Sequence, residues 1–276
     1  MKTHPATIVS CYYHIPGNTK RTPEQYKAWI HNFLTLCQTP IVMFSDGPEA
    51  VELDALRKST GYPWLLIQKP INSLSYTSKE DMDYWNWCYE NDPFKHVHKP
   101  QMFIFWANKS QLVKEVILQN PFQSTHFFWC DAGCWRDTSF SKIFAPQWPL
   151  TMKLPQRVFL TWIDKYELLK QATQEFKTLE HYALCDIFRH RCTVAGGIFG
   201  GPATEMIVFA DSYTTLLRLY QVHKKFGADD QALLASVALY LERKGLVQNS
   251  PCYTLPKNPE IPGADNWFAL QYLCGP

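Results

Sequence analysis

Hydrophobic positions along this chain fall into short continuous runs separated by longer stretches with helical spacing. Residues 7–13 (TIVSCYY) form the first run, of β type. A polar, Pro/Gly-bearing loop follows. Pro23 then opens a pattern in which Tyr26, Trp29, Ile30, Phe33, Leu34 and Leu36 recur at near-3.6 spacing, so one helical face points inward. Pro40 ends it, and Ile41-Val42-Met43-Phe44 makes the next run, closing at Ser45-Asp46-Gly47. A helix over 48–58 leads to a third run at 64–67. Strand, helix, strand, helix, strand at this spacing predicts parallel β-α units.

Residues 72–98 are polar, aromatic and irregular, with room for a short helix around 79–87. Lys99-Pro100 starts a long helix, with Pro in its first turn, that runs to Gln119 and stops at Asn120-Pro121. That helix delivers the chain to His126-Phe127-Phe128-Trp129-Cys130, apolar on both faces as a central parallel strand must be. The strand runs straight into Asp131, at a carboxyl end where open α/β sheets build their ligand crevices. Further on, 158–162 reads as a strand, 165–179 as a helix, 203–226 as a long amphipathic helix, and 227–231 as the opening of another through Glu242. The tail ends in Asn266-Trp267-Phe268-Ala269-Leu270, apolar enough to dock. With no repeat and no linker, the pattern predicts a single Rossmann-like α/β domain spanning 1–276. Its mostly parallel sheet is flanked by helices. About 1–140 forms a nucleotide-binding half and about 141–276 completes the site.

Composition narrows the function. Apolar residues make up 46% and charged residues 19%, enough to fill a core, so this is not a disordered chain. The net charge of +2 and the shortness of Lys224-Lys225 and Arg189-His190-Arg191 argue against a nucleic-acid partner. Nine scattered cysteines lack any CxxC pair, which predicts a reduced, cytoplasmic protein. The start, MKTHPATIVSCYY, has no apolar signal region, and no run approaches the length of a membrane span, so neither is expected. The many aromatic rings suit either a packed core or the walls of a sugar cleft.

Asp131 heads the chemistry. A sheet-end carboxylate followed by Ala132-Gly133 leaves room for a metal–diphosphate to approach the backbone; alternatively, Asp131 caps the following turn. Sugar transferases of the GT-A type use such an acid, usually within D-x-D, to hold Mn²⁺ or Mg²⁺ against the leaving diphosphate. Here Gly133 replaces the second acid, and Asp137 is the candidate substitute. The glycine-rich run 194–201 matches neither a dinucleotide fingerprint nor a P-loop, and suggests a tight bend against a ligand or an ordinary turn. Asp229-Asp230-Gln231 precedes an apolar helix, so one acid serves as its cap and the other can act as general base. His96-Val97-His98 would place two rings on one strand face, but no third ligand follows, and His181, His190 and Cys192 are equally unsupported as a zinc site. No serine or cysteine nucleophile has a supporting motif.

Taken in order, TIVSCYY with Tyr26-x-x-Trp29-x-x-Asn32-Phe33-Leu34, PIVMFSD at 40–46, Phe105-Trp106-Ala107-Asn108-Lys109, Asn120-Pro121-Phe122, FFWCDAGCWRD, GGIFGG and Asp-Asp-Gln resemble the HtrL/YibB-like family of glycosyltransferase-like proteins. The most distinctive element is W-x-D-x-G-x-x-R after N-P-F. The resemblance implies a GT-A-like fold and sugar transfer from a nucleotide donor. The reading taken is transfer from a nucleoside-diphosphate sugar, a UDP-sugar, to a glycan hydroxyl with Mn²⁺ or Mg²⁺; Asp229 or Asp230 as base would give inversion, while a retaining enzyme needs no such base, so both outcomes stay open. By the same resemblance Asp131 contacts metal and diphosphate, and Arg136 adds a second charge at that loop. Tyr12, Tyr13 and Asp46 lie where the nucleoside is held, and Lys109 can reach a phosphate or simply be solvated. Gly196, Gly197 and Asp230 fall on the acceptor side, and Asp230 or Asp229 is the catalytic base expected there. The rival readings are a non-catalytic sugar-binding protein on a degenerate transferase fold and a hydrolase using Asp131 with Asp230.

Overall fold

A computed structural model describes residues 3–16, 21–136, 148–188, 194–251 and 266–275. Among the described residues seven strands form: β1 (Ala6–Cys11), β2 (Ile41–Ser45), β3 (Trp64–Gln68), β4 (His126–Cys130), β5 (Val158–Trp162), β6 (Ile198–Pro202) and β7 (Val247–Pro251). They make one sheet in the order β3-β2-β1-β4-β6-β5-β7. The expected parallel β-α half is present, since β1 pairs in parallel with β2 and β4, and β2 with β3. β6 alone runs antiparallel, between β4 and β5, and β7 returns parallel to β5.

Local sequence explains the helices that frame the site. In α1 (Pro23–Leu36), Thr22 and Gln25 form a capping box, Pro23 sits in the first turn, and Ile30, Phe33 and Leu34 are buried. α4 (Pro100–Gln119) also begins on proline and ends where Asn120 turns left-handed at φ 38°. α2 (Gly47–Ser59) and α3 (Lys79–Glu90) lie between them. Two expectations need correction. The helix at 165–179 is two helices, α5 (Tyr166–Ala172) and α6 (Leu179–Leu184). Thr173 Oγ1 bonds back to Leu169 O at 2.8 Å, and Arg243 takes the carbonyl of Phe176 at 2.6 Å, so side chains satisfy the interrupted backbone. His96 and His98 share no strand face, because 93–97 are turns.

α7 (Ala203–Val222) and α8 (Asp230–Glu242) pack with α3 and α4 on one sheet face, over Val9, Phe127 and Trp129. α1, α2 and the docked tail helix α9 (Ala269–Leu273) cover the other, over Ile8, Phe128 and Cys130. Both faces of β1 and β4 are thus buried, which accounts for their unbroken apolar runs. In β6, a Cβ on Gly200 would lie 2.4 Å from Phe127 O, and one on Gly201 would lie 2.7 Å from Arg157 O. These glycines therefore serve close strand packing.

A buried guanidinium ties α1 to α2. Arg57 is fully buried and donates to the carbonyls of Leu34 (2.6 Å), Cys37, Thr39 (3.0 Å) and Pro63 (3.3 Å). Arg57→Leu should lower unfolding free energy by about 3 kcal/mol, since several carbonyls lose a charged donor together. Urea denaturation checks it: the midpoint should fall with an unchanged slope. Lysine should not rescue, because one ammonium cannot reproduce the planar fork.

Candidate active site

A cavity of about 700 Å³ opens at the carboxyl ends of β1 and β4. Lys109 projects into its wall from the middle of α4, one helical turn beyond Trp106, which also lines it. Its ammonium lies 3.2 and 3.4 Å from the two oxygens of Asp131, 2.9 Å from Asp230 Oδ2 and 3.0 Å from Gly196 O. Its side chain is only 7% exposed, so the solvated-lysine reading does not hold.

Each partner is placed by a different local device. Asp131 leaves the end of β4 with its N–H bonded to Gly197 O at 2.8 Å, and Oδ1 accepts from Trp129 Nε1 at 2.7 Å. Ala132 and Gly133 form the turn that follows. A Cβ on Gly133 would lie 3.2 Å from Trp29 and 3.4 Å from Tyr26, so the α1 rings leave little space for the second acid of a D-x-D. Asp229 and Asp230 point different ways. Asp229 caps α8, accepting from Gln231 N at 3.0 Å, while Asp230, the first helical residue, turns its carboxylate to Lys109. Gly196 makes this possible, since a Cβ there would come within 3.0 Å of both Asp230 Oδ2 and Leu234.

Two carboxyl groups share one ammonium in this cluster. Burial disfavours the charge on Lys109, but Asp131 and Asp230 outweigh it and hold its pKa above the ordinary lysine value. Burial raises Asp131, while Lys109 and the Trp129 N–H pull it back. The Asp131 side chain is nevertheless 43% exposed toward the cavity, so solvent screens part of that effect. Among the described residues no group of three or more His, Cys, Asp or Glu side chains could hold a metal. A divalent cation at Asp131 would thus take most of its oxygens from a bound diphosphate and water, an arrangement Mg²⁺ accepts readily. Asp137 lies outside the described residues.

The cavity has two chemically different walls. One carries Tyr12, Tyr26 and Trp29 with Arg21 and Arg136. The Arg136 guanidinium lies between the rings of Trp29 and Phe268, 4.8 and 4.7 Å from their centroids, and its Nε donates to Gly133 O. Tyr13 is tied down, its hydroxyl donating to Lys69 O at 2.9 Å and its ring stacked on Phe105. The other wall, from the α3–α4 loop and the start of α4, carries His98, Phe94 and Trp106 with Asp92. Of the sequence candidates, Tyr12, Tyr13, Lys109, Asp131, Ala132, Gly133, Arg136, Gly196, Gly197, Asp229 and Asp230 all line the cavity. Asp46 does not; it occupies the N-cap position of α2 without a side-chain cap bond.

Sequence reasoning misses Gln231, His98 and Phe94 as site residues. Only Gln231 carries a signal, its position beside the two acids. Its Oε1 is buried beside the cavity with no hydrogen-bond partner among the described residues.

No protein-family model matches the chain, and no curated protein matches it in sequence. Among solved structures it is similar to core-mannan synthase A (CmsA/Ktr4) from Aspergillus fumigatus in its Mn/GDP form, at 10% identity and a TM-score of 0.50, covering 88% of this chain and 72% of that one. Mouse xyloside xylosyltransferase 1, apo form, is also similar, at 10% identity and a TM-score of 0.45 over 91% of this chain and 86% of that one. With the sheet order and the first of these neighbours together, the chain has the GT-A glycosyltransferase fold.

Proposed function

We propose that this protein is a glycosyltransferase that moves a sugar from a nucleoside-diphosphate donor, a UDP-sugar in the first instance, to a hydroxyl of a glycan acceptor. The observation that carries the reading is the buried Asp131–Lys109–Asp230 cluster in the wall of an aromatic cavity at the sheet's carboxyl edge. The motif resemblance to HtrL/YibB-like proteins points the same way, and the Mn/GDP form of the fungal neighbour makes a nucleotide with a divalent cation the reasonable ligand to try.

On this reading the arginine-bearing wall takes the nucleotide. Tyr12 and Tyr26 offer ring faces to the nucleoside, and Arg136, held between two rings, offers its charge to the diphosphate. Asp131 holds Mn²⁺ or Mg²⁺, which when bound neutralises charge on the leaving diphosphate. Asp230 accepts the proton of the attacking acceptor hydroxyl as general base, and transfer inverts the anomeric centre. Lys109 keeps this workable: as Asp230 takes up the proton, the ammonium remains paired with Asp131. A two-carboxylate hydrolase is less well supported, because the lysine occupies the space between the acids that a sugar would need.

Calorimetric titration of UDP, GDP and CDP, with and without Mn²⁺, tests the proposal. At least one should bind in a metal-dependent way; no binding by any of them would overturn the transferase reading in favour of a non-catalytic sugar-binding protein. Asp230→Asn should keep the wild-type nucleotide affinity and lose transfer by about 10²–10⁴-fold, the range for a general base. Unaffected transfer would remove Asp230 from that role.

A further inference from the structure

We propose that the wall built by the α3–α4 loop and the start of α4 seats a neutral sugar ring, that His98 is its polar anchor, and that this ring belongs to the acceptor. The ring's role as acceptor rests on the transferase reading above; the site itself rests on the geometry of Asp92, His98 and Phe94.

Asp92 has a side chain only 3% exposed, and it organises the loop. Oδ1 accepts from Phe94 N at 2.8 Å, and Oδ2 pairs with His98 Nδ1 at 2.8 Å. An ionised carboxylate only accepts, so Nδ1 carries the hydrogen, and Nε2 is the ring nitrogen left for a ligand. No described residue bonds it. Packing also holds the imidazole: it stands edge-on to Trp106 at 5.0 Å and to Phe103 at 6.3 Å. Beside it Phe94 lines the cavity while 54% exposed, a large apolar ring left in water at the edge of a polar anchor. A sugar ring needs this pairing, an aromatic surface for its C–H face and an oriented polar group for a hydroxyl.

Charge assigns the ring to the acceptor side. Arg21 and Arg136 line the cavity with Tyr26 and Trp29, whereas the lysine on this wall, Lys109, is already paired with Asp131 and Asp230, and Asp92 is buried with both oxygens bonded. A wall whose lysine is already paired offers a diphosphate little to bind but leaves a neutral polyol unpenalised. Position agrees. Lys109, Trp106 and Met102 follow one another along α4 and all line the cavity, so this wall extends roughly 10 Å from the ion-pair cluster at 1.5 Å per residue. Phe226, Ala228 and Asp229 continue it directly into Asp230.

Saturation-transfer NMR with methyl glycosides of glucose, galactose, mannose, xylose and N-acetylglucosamine tests the site on wild type, His98→Ala and Phe94→Ala. The nucleotide titrations are repeated on the same three proteins. At least one glycoside should give a signal with wild type that falls fivefold or more in both variants, while nucleotide affinity stays within twofold. Phe94 is exposed, so its variant keeps the test open if His98→Ala fails to fold. An equal fall in nucleotide affinity would give the wall to the nucleoside and overturn the proposal. So would undiminished glycoside signals in the variants, or no glycoside binding by a wild type that binds nucleotide. Glycoside binding through His98 without any nucleotide binding would uphold the sugar site and sink the transferase reading instead.

Discussion

Asp131→Asn is expected to fold like the wild type, lose the metal-dependent part of nucleotide binding, and show kcat/KM for transfer reduced by about 10²–10³-fold, which corresponds to about 3–4 kcal/mol of lost transition-state stabilisation. Asparagine preserves the shape and can still accept from Trp129 Nε1, so the turn at 132–133 keeps its support. What it removes is the charge that 43% exposure of the side chain turns toward the cavity. The measurement pairs thermal denaturation with calorimetry in the presence and absence of Mn²⁺. An unchanged metal dependence would mean that the cation, if one is used, is held elsewhere. An unfolded variant would mean that Asp131 is first of all a structural partner of Lys109.

Lys109→Met should be the more damaging change to the fold. It leaves Asp131 and the almost wholly buried Asp230 facing one another without the ammonium between them, and breaking a buried pair in this way costs about 3–5 kcal/mol. The shifts set the sign of the pH dependence. In the wild type the raised Lys109 pKa contributes stability that is fully present below the ordinary lysine value and lost only as pH rises through the folded value, far into the alkaline range. Asp131 is already raised by burial, and without Lys109 it rises further. A carboxyl with a raised folded pKa favours the folded state below its unfolded value and costs stability as pH climbs through the folded one. The variant's deficit should therefore be largest near neutral pH and shrink on acidification. Urea midpoints measured at several pH values check this, and a deficit independent of pH would remove the ion pair as its cause.

These two residues differ in how legible they are from sequence. Asp131 is legible because a doubly buried strand ending in an acid and two small residues places that acid at a sheet's carboxyl edge. Lys109 is not. In the sequence it is one lysine in a long helix, and nothing local distinguishes a solvated ammonium from one held by acids 22 and 121 positions away. The pair Asp229-Asp230 lies between these cases: adjacency allows one of them to cap α8, but only the approach of Gly196 and Lys109 decides which residue caps and which pairs with the lysine. His98 reads in sequence as a poor metal ligand on a strand. Its partner is Asp92, six residues back across a turn that periodicity does not describe.

What the sequence alone determined is what periodicity and punctuation encode. The positions of β1, β2, β3, β4 and β5, the proline-led starts of α1 and α4, and the place of Asp131 follow from apolar runs, 3.6-residue spacing and breakers, all of them local. The tertiary structure decided the rest. The place of β6 between β4 and β5 requires glycines where a Cβ would meet the backbone at Phe127 and Arg157. The second acid of a D-x-D is disfavoured by α1 rings roughly a hundred residues away in sequence. The contrast between the arginines beside Trp29 and the aromatic wall of His98, Phe94 and Trp106 arises because helices from opposite faces of the sheet meet at one edge. Each is a contact between distant segments, and the energy of such a contact appears only once the chain has closed around the sheet.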